Sequence, residues 1–247
     1  MKILITNDDG INAKGINILS NCIKECFKQN DVTIKVVAPS TEMSAVSQKL
    51  SLREGLTIEK RQDIVDGIES YAVEGTPCDC VKVAYNHLNY IPDIVFTGIN
   101  NGYNVGNDIL YSGTLAAAFE ARLYGCKAVA FSCKYNSEIK KDNIIKTLEY
   151  IYENKLVEEL SILNINIPEE VTGFKITKQG ELPFQSTYVK KQDGKYYLEG
   201  IMVEKRNNDE TTDVFAINDK KVEIEIINFR DYSPLNNKMV DDTPYGG

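Results

Sequence analysis

Ile3-Leu4-Ile5-Thr6-Asn7-Asp8-Asp9-Gly10 is the stretch on which the fold turns. Its apolar run, Ile3-Leu4-Ile5, reads as a buried strand. Two carboxylates stand where that strand ends, and Gly10 allows the backbone to turn sharply. In open α/β sheets, ligands bind beyond the carboxyl ends of the strands. Neighbouring side chains on a strand point to opposite faces, so Asp8 and Asp9 can serve one site only where the chain leaves β geometry. Like charges this close need donors or a cation, and a hard divalent metal is the natural third party. Taken alone, the same residues also read as a solvated acidic loop.

Outward from this stretch, strand-like and helix-like segments alternate. Lys14 to Lys28 has the spacing of an amphipathic helix, and Val32 to Ala38 reads as a strand ended by Pro39. Tyr71 to Val73 is a short strand. Thr76 suits a helix N-cap and Pro77 the first helical position, which predicts a helix to about His87. Asp93 to Phe96, Lys127 to Ser132 and Leu160 to Ile167 read as strands, with helices over Ser112 to Tyr124 and Lys140 to Tyr152. The alternation predicts an α/β fold, a mainly parallel sheet with helices on both faces. After Pro168 the helical periodicity stops. Tyr188 to Lys191 and Tyr196 to Val203 flank Asp193-Gly194 as a β-hairpin, and Val222 to Ile226 alternates as a half-exposed strand. The expected division is a catalytic core over 1–170 and a β-rich extension over 171–247 that is not an independent domain. An exposed hairpin needs a partner for its edges, which subunit exchange or its own core could supply.

The chain has 247 residues and a formal charge of −8, which argues against general binding of duplex nucleic acid. Met1-Lys2-Ile3 lacks a signal-peptide layout and no run is long enough to span a bilayer, so a cytoplasmic enzyme with no membrane partner is expected. The cysteines read as reduced thiols, with Cys22 and Cys26 at core spacing. Cys78-Asp79-Cys80 has no second pair to complete a zinc site. The sole histidine, His87, reads as a helix-end surface residue, which leaves little basis for a Ser-His-Asp triad.

Four strand-end loops concentrate Gly, Asn, Asp, Ser and Thr: 7–10, 38–47, 75–79 and 97–108. Each follows a strand, so all should emerge on one rim of a parallel sheet. The last feeds Ser112-Gly113-Thr114, where free N–H groups, the helix dipole and two hydroxyls suit an anion. A metal-favouring loop and an anion-favouring helix start on one rim are what phosphate-ester hydrolysis requires.

These segments carry a resemblance. Ile5-Thr6-Asn7-Asp8-Asp9-Gly10, Val37-Ala38-Pro39 with Ser44-Ala45, Gly75 to Val81, Gly98-Ile99-Asn100-Asn101-Gly102, Asn104-Val105-Gly106, Tyr111-Ser112-Gly113-Thr114, Leu163 to Pro168 and Thr212-Asp213 are similar to the SurE family of metal-dependent nucleotidases. The resemblance implies a Rossmann-like core, a swapped C-terminal hairpin in homodimers or homotetramers, and phosphatase activity on nucleoside monophosphates. It implies one divalent cation, Mg²⁺ or Mn²⁺, on Asp8, Asp9, Ser44 and Asn100, with phosphate contacts from Ser112, Gly113, Thr114 and Asn104. Oxygen ligands of this kind suit those hard cations. Tyr111 stands where family members commonly carry histidine, Val46-Ser47 where many carry glycine, and Glu225 to Phe229 lacks the usual proline.

The expected activity is hydrolysis of nucleoside 5′- or 3′-monophosphates by water, with Asp8 and Asp9 as the catalytic pair. Two alternatives stay open. Asp8 or Asp9 could attack phosphorus to form an aspartyl phosphate, although the usual spacing of two aspartates around one residue is absent. The rim could also bind nucleotide and metal as a sensor without turnover.

Overall fold

The computed structural model describes residues 1–157, 161–181, 184–202 and 209–228. The strands of its main sheet are β1 (Lys2–Thr6), β2 (Thr33–Pro39), β3 (Ile58–Arg61), β4 (Glu69–Val73), β5 (Ile94–Asn101), β6 (Lys127–Cys133), β7 (Ser161–Ile167), β8 (Gly173–Thr177) and β11 (Lys221–Asn228). A separate antiparallel pair is formed by β9 (Phe184–Lys190) and β10 (Tyr196–Met202). The nine main strands are ordered β3-β4-β2-β1-β5-β6-β7-β11-β8. From β4 through to β7 every neighbouring pair is parallel, whereas β3 runs antiparallel to β4 and β11 antiparallel to β7, with β8 parallel to β11. The chain moves outward from β1 to β2 and β4, then crosses back to lay β5 on the other side of β1. The ends of β1 and β5 therefore form a topological switch point, where an open α/β sheet leaves a crevice.

Both faces of this sheet are covered. Ile3 and Ile5 pack in one layer with Ile16, Leu19 and Ile23 of α1 (Lys14–Cys26) and Ile144, Leu148 and Ile151 of α4 (Lys141–Glu153). Leu4 faces the opposite layer with Val81 of α2 (Pro77–Lys82) and Leu115 and Ala118 of α3 (Gly113–Leu123). Burial on two faces explains why β1 is a continuous apolar run rather than an alternating one. α1 meets the end of β5 at Gly15, where an added Cβ would lie 2.1 Å from the Ile99 carbonyl oxygen.

The structure bears out the α/β class and adds detail the periodicity did not carry. β3 is the polar edge strand Ile-Glu-Lys-Arg, and α5 (Asp213–Asn218) is too short to show a helical period. β5 was expected to stop at Phe96 but runs through Thr97-Gly98 to Asn101, with its register shifting against β6 between Thr97 and Asn100. The helix from Pro77 continues to His87 as a wider π turn over Val83–His87. β8 and β11 join the main sheet, so the extension from 171 is partly built into the core. Leu160 and Val203, on which expected strand ends fell, and Phe229, in the segment that lacks the usual proline, lie outside the described residues. The chain leaves the sheet after β8 and returns at one place. Lys178 bridges Thr212, the Lys178 N–H donates to Thr211 and the Asp213 N–H donates to Lys178. No helix among the described residues is long and apolar enough to cross a membrane.

Candidate active site

At the end of β1 the chain folds under itself. The Asn7 amide donates to the Gly10 carbonyl at 2.8 Å, and Gly10 sits at φ +95°, a conformation that favours glycine. Asp8 is 3 % exposed, while Asp9 is half-buried. The Asp9 carboxylate accepts from the Asn101 N–H at 3.0 Å, which joins the acidic loop to the end of β5 beside Asn100. The Asn100 amide donates to the Gly102 carbonyl at 2.9 Å.

The start of α3 is packed directly on Asp8. The Thr114 hydroxyl donates to Asp8 Oδ1, and an added Cβ on Gly113 would lie 2.8 Å from the Asp8 Cβ and 3.0 Å from Oδ2. Ser112 caps the helix by accepting from the Leu115 N–H at 3.2 Å. The 38–47 loop is tied into the same corner. Met43 N–H donates to the Asp8 carbonyl at 2.7 Å, and Ser47 donates to the carbonyls of Tyr111 and Leu110. Ser44 is exposed and its hydroxyl donates to Glu42 at 2.8 Å.

The residues singled out from sequence thus divide. Asp8, Gly113 and Thr114 touch, Asp9 reaches the neighbour of Asn100, and Ser44 lies on the loop tied to Asp8. Asn104 is held by the neighbouring strands. Its amide donates to Ser132 at 2.8 Å, its N–H to Asn166 at 2.8 Å, and its carbonyl accepts from Asn164 and Asn166. In the 75–79 loop, Asp79 and Thr76 form a capping box for α2, and Asp79 also accepts from Ser51. That loop holds structure together.

The electrostatics favour a cation. Burial pushes the Asp8 carboxyl up to about 6, against the lowering effect of the Thr114 hydroxyl and with repulsion from Asp9 adding to it. Burial and Glu42 also raise Asp9, against the Asn101 N–H. Among the described residues, neither aspartate pairs with a Lys, Arg or His. The Asn7 side-chain oxygen beside them is buried without a partner among the described residues. The described residues hold no group of three or more His, Cys, Asp or Glu arranged for a metal, so two carboxylates would need the neutral oxygens of Ser44 and Asn100 to complete a shell. That all-oxygen donor set fits Mg²⁺ or Mn²⁺.

The sequence model of the family described as survival protein SurE matches residues 3–186. The chain belongs to the SurE family. It is 38% identical over 248 residues to the 5′-nucleotidase SurE of Thermoanaerobacter sp. (strain X514), covering 96% of each chain. It is 39% identical over 241 residues to the 5′-nucleotidase SurE of Clostridium botulinum (strain Kyoto / Type A2), covering 90% of each. Its fold matches the crystal structure of the SurE protein from Aquifex aeolicus with a TM-score of 0.74 and 32% identity, over 92% of this chain and 93% of that one.

Within this SurE fold, three neighbours of the acidic loop escaped the sequence reading as site residues. Asn7 stood inside the quoted motif, and Glu42 is the charge nearest Ser44. Asn101 contributes only its backbone N–H, which residue type does not reveal. Tyr111, at the position where SurE proteins commonly carry histidine, is 61% exposed and offers its carbonyl to Ser47.

Proposed function

We propose that this SurE protein is a divalent-metal-dependent phosphomonoesterase that hydrolyses nucleoside 5′- or 3′-monophosphates to nucleoside and phosphate. The observation that carries the reading is the seating of the first turn of α3 on Asp8 at the β1/β5 switch point. The 5′-nucleotidase naming of relatives at 35–39% identity supports it.

In this reading Asp8, Asp9, Ser44 and Asn100 hold one Mg²⁺ or Mn²⁺. The chemistry a bound cation supplies is neutralisation of phosphoryl charge and activation of water. Ser112 and the N–H groups of Gly113 and Thr114 receive the charge that develops on the phosphoryl oxygens. Thr114 orients Asp8 through its hydroxyl. An adjoining cavity of about 360 Å³, lined by Ser112 with Ile109, Leu110 and Ala116, gives the uncharged half of the substrate room. Residues 1–170 carry the catalysis, and 171–247 carry assembly into homodimers or homotetramers through the 184–202 hairpin.

Phosphate release from AMP and GMP with Mn²⁺, with and without chelator, tests the reading. Wild-type release should be chelator-sensitive and collapse in Asp8→Asn. Equal release by the two proteins, or release indifferent to chelator, would refute it.

A further inference from the structure

Asp213 takes no part in the chemistry above, yet it is fully buried, and among the described residues it has no ion pair. Burying a charge is costly unless it is well bonded. Here the bonds are to backbone N–H groups. Oδ2 accepts from Gly106 at 2.6 Å, and Oδ1 accepts from Gly180 at 2.8 Å and from Val214 at 2.6 Å. The three donors belong to three segments: the rim loop after β5, the root of the 184–202 hairpin, and the first turn of α5. Donors converging from three segments need an acceptor with two oxygens. Asparagine would offer one, and would set an amide N–H against a backbone N–H.

Gly106 is gripped on its other side as well, since its carbonyl accepts from the Gln179 amide at 2.8 Å. It opens the 3₁₀ turn Gly106–Leu110, after which Tyr111 and Ser112 lead into α3. A shift at Gly106 therefore passes within six residues to the helix start that packs on Asp8.

We propose that Asp213 is a positioning residue for phosphate release: it fixes the passage from Gly106 to Ser112 and ties it to the root of the hairpin, so that rim and hairpin share one anchor. The kinetic half of this inference rests on the phosphomonoesterase reading; the structural half does not.

The test uses full-length Asp213→Asn and Gln179→Leu. Mn²⁺ affinity is read by calorimetry, kcat and KM with AMP, and amide exchange over 104–112 and 178–181. In Asp213→Asn, kcat should fall about ten-fold or more, within the roughly 10²-fold that a 1 Å misplacement can cost. KM and Mn²⁺ affinity should stay within about three-fold, because the acidic loop is untouched. Exchange should quicken in both segments while β1, β5 and β6 keep wild-type protection. Gln179→Leu should lower kcat by a smaller factor, about three-fold, and quicken exchange over 106–112. Unchanged kcat in both variants, exchange quickened at 178–181 alone, exchange raised throughout the sheet, or Mn²⁺ affinity falling in step with kcat would each overturn the proposal. If Asp213→Asn does not fold, Gln179→Leu decides by the same outcomes. A wild-type protein inert toward nucleoside monophosphates would sink the phosphomonoesterase reading, and the exchange data would still decide whether Asp213 joins the two segments.

Discussion

Desolvation deprives Asp8 of its usual acidity, and the Thr114 hydroxyl recovers only part of it. Its carboxyl lies at about 6 in the folded chain against an ordinary 3.8. Between those values the folded state binds more protons than the unfolded one, so the stability of metal-stripped protein falls as pH rises through the window. Two pK units amount to about 3 kcal/mol, an upper bound on the swing. Thermal melts of chelated protein across pH 4 to 6 should show the slope, and Asp8→Asn should remove it. A variant that keeps the wild-type slope would assign it to another group. Cation binding needs the carboxylate, so Mn²⁺ affinity measured by calorimetry should climb as pH rises toward about 6 and level off above it. Asp8→Asn should cut phosphate release by about 10²-fold or more, the scale of losing a charge at a reacting centre.

Two elements show how packing decides where chemistry sits. α3 approaches Asp8 because Gly113 has no side chain. Alanine is the better helix former by about 1 kcal/mol, yet Gly113→Ala should destabilise by about 1–3 kcal/mol, because its Cβ would meet Asp8 and the Met43 carbonyl. Denaturant melts check the sign. In β11, Glu223 is buried opposite Asn166 of β7, accepting from Asn166 and Thr177. Burial raises its carboxyl to about 8, with Glu225 and Asp213 adding repulsion. The group is therefore protonated at neutral pH, and stability that depends on that proton is lost as pH rises through about 8. Glu223→Gln is neutral at every pH, keeps an acceptor for Asn166, and offers its amide N–H to the Thr177 hydroxyl, which can turn to accept it. Its stability relative to wild type should rise as pH rises from about 4.5 to about 8 and level off above; a constant difference between the two proteins would place the titration elsewhere. None of this was legible in Val222-Glu223-Ile224-Glu225-Ile226, whose alternation reads as half-exposed. The glutamates lie toward protein, and 222–225 are all buried. Alternation reports which side chains share a face, and it cannot report that both faces are covered. The partners of Asn104 were hidden for a related reason. Its residue type suits a phosphate, but its partners Ser132, Asn164 and Asn166 lie on strands far along the chain.

At the scale of the whole molecule, the layers and the rim were readable because β1, the capped helices and the strand-end loops carry local signals. The order of strands, and with it the β1/β5 crevice, depends on long-range pairing that no local pattern encodes. The hairpin is the part least supported by its own chain. Tyr188, Tyr196 and Leu198 are 68%, 64% and 60% exposed, and a lone two-stranded sheet is marginal in water. Sedimentation should therefore find a dimer or tetramer. Tyr188→Lys with Leu198→Lys should lower that mass and leave the main-sheet melt within about 1 kcal/mol, since both positions are exposed. A wild-type monomer would remove the assembly role. The meeting of Lys178 with Thr212 has one more implication. Because departure and return share a doorway, the β9–β10 pair is a cassette: it could be lengthened or trimmed without re-threading a single strand of the main sheet.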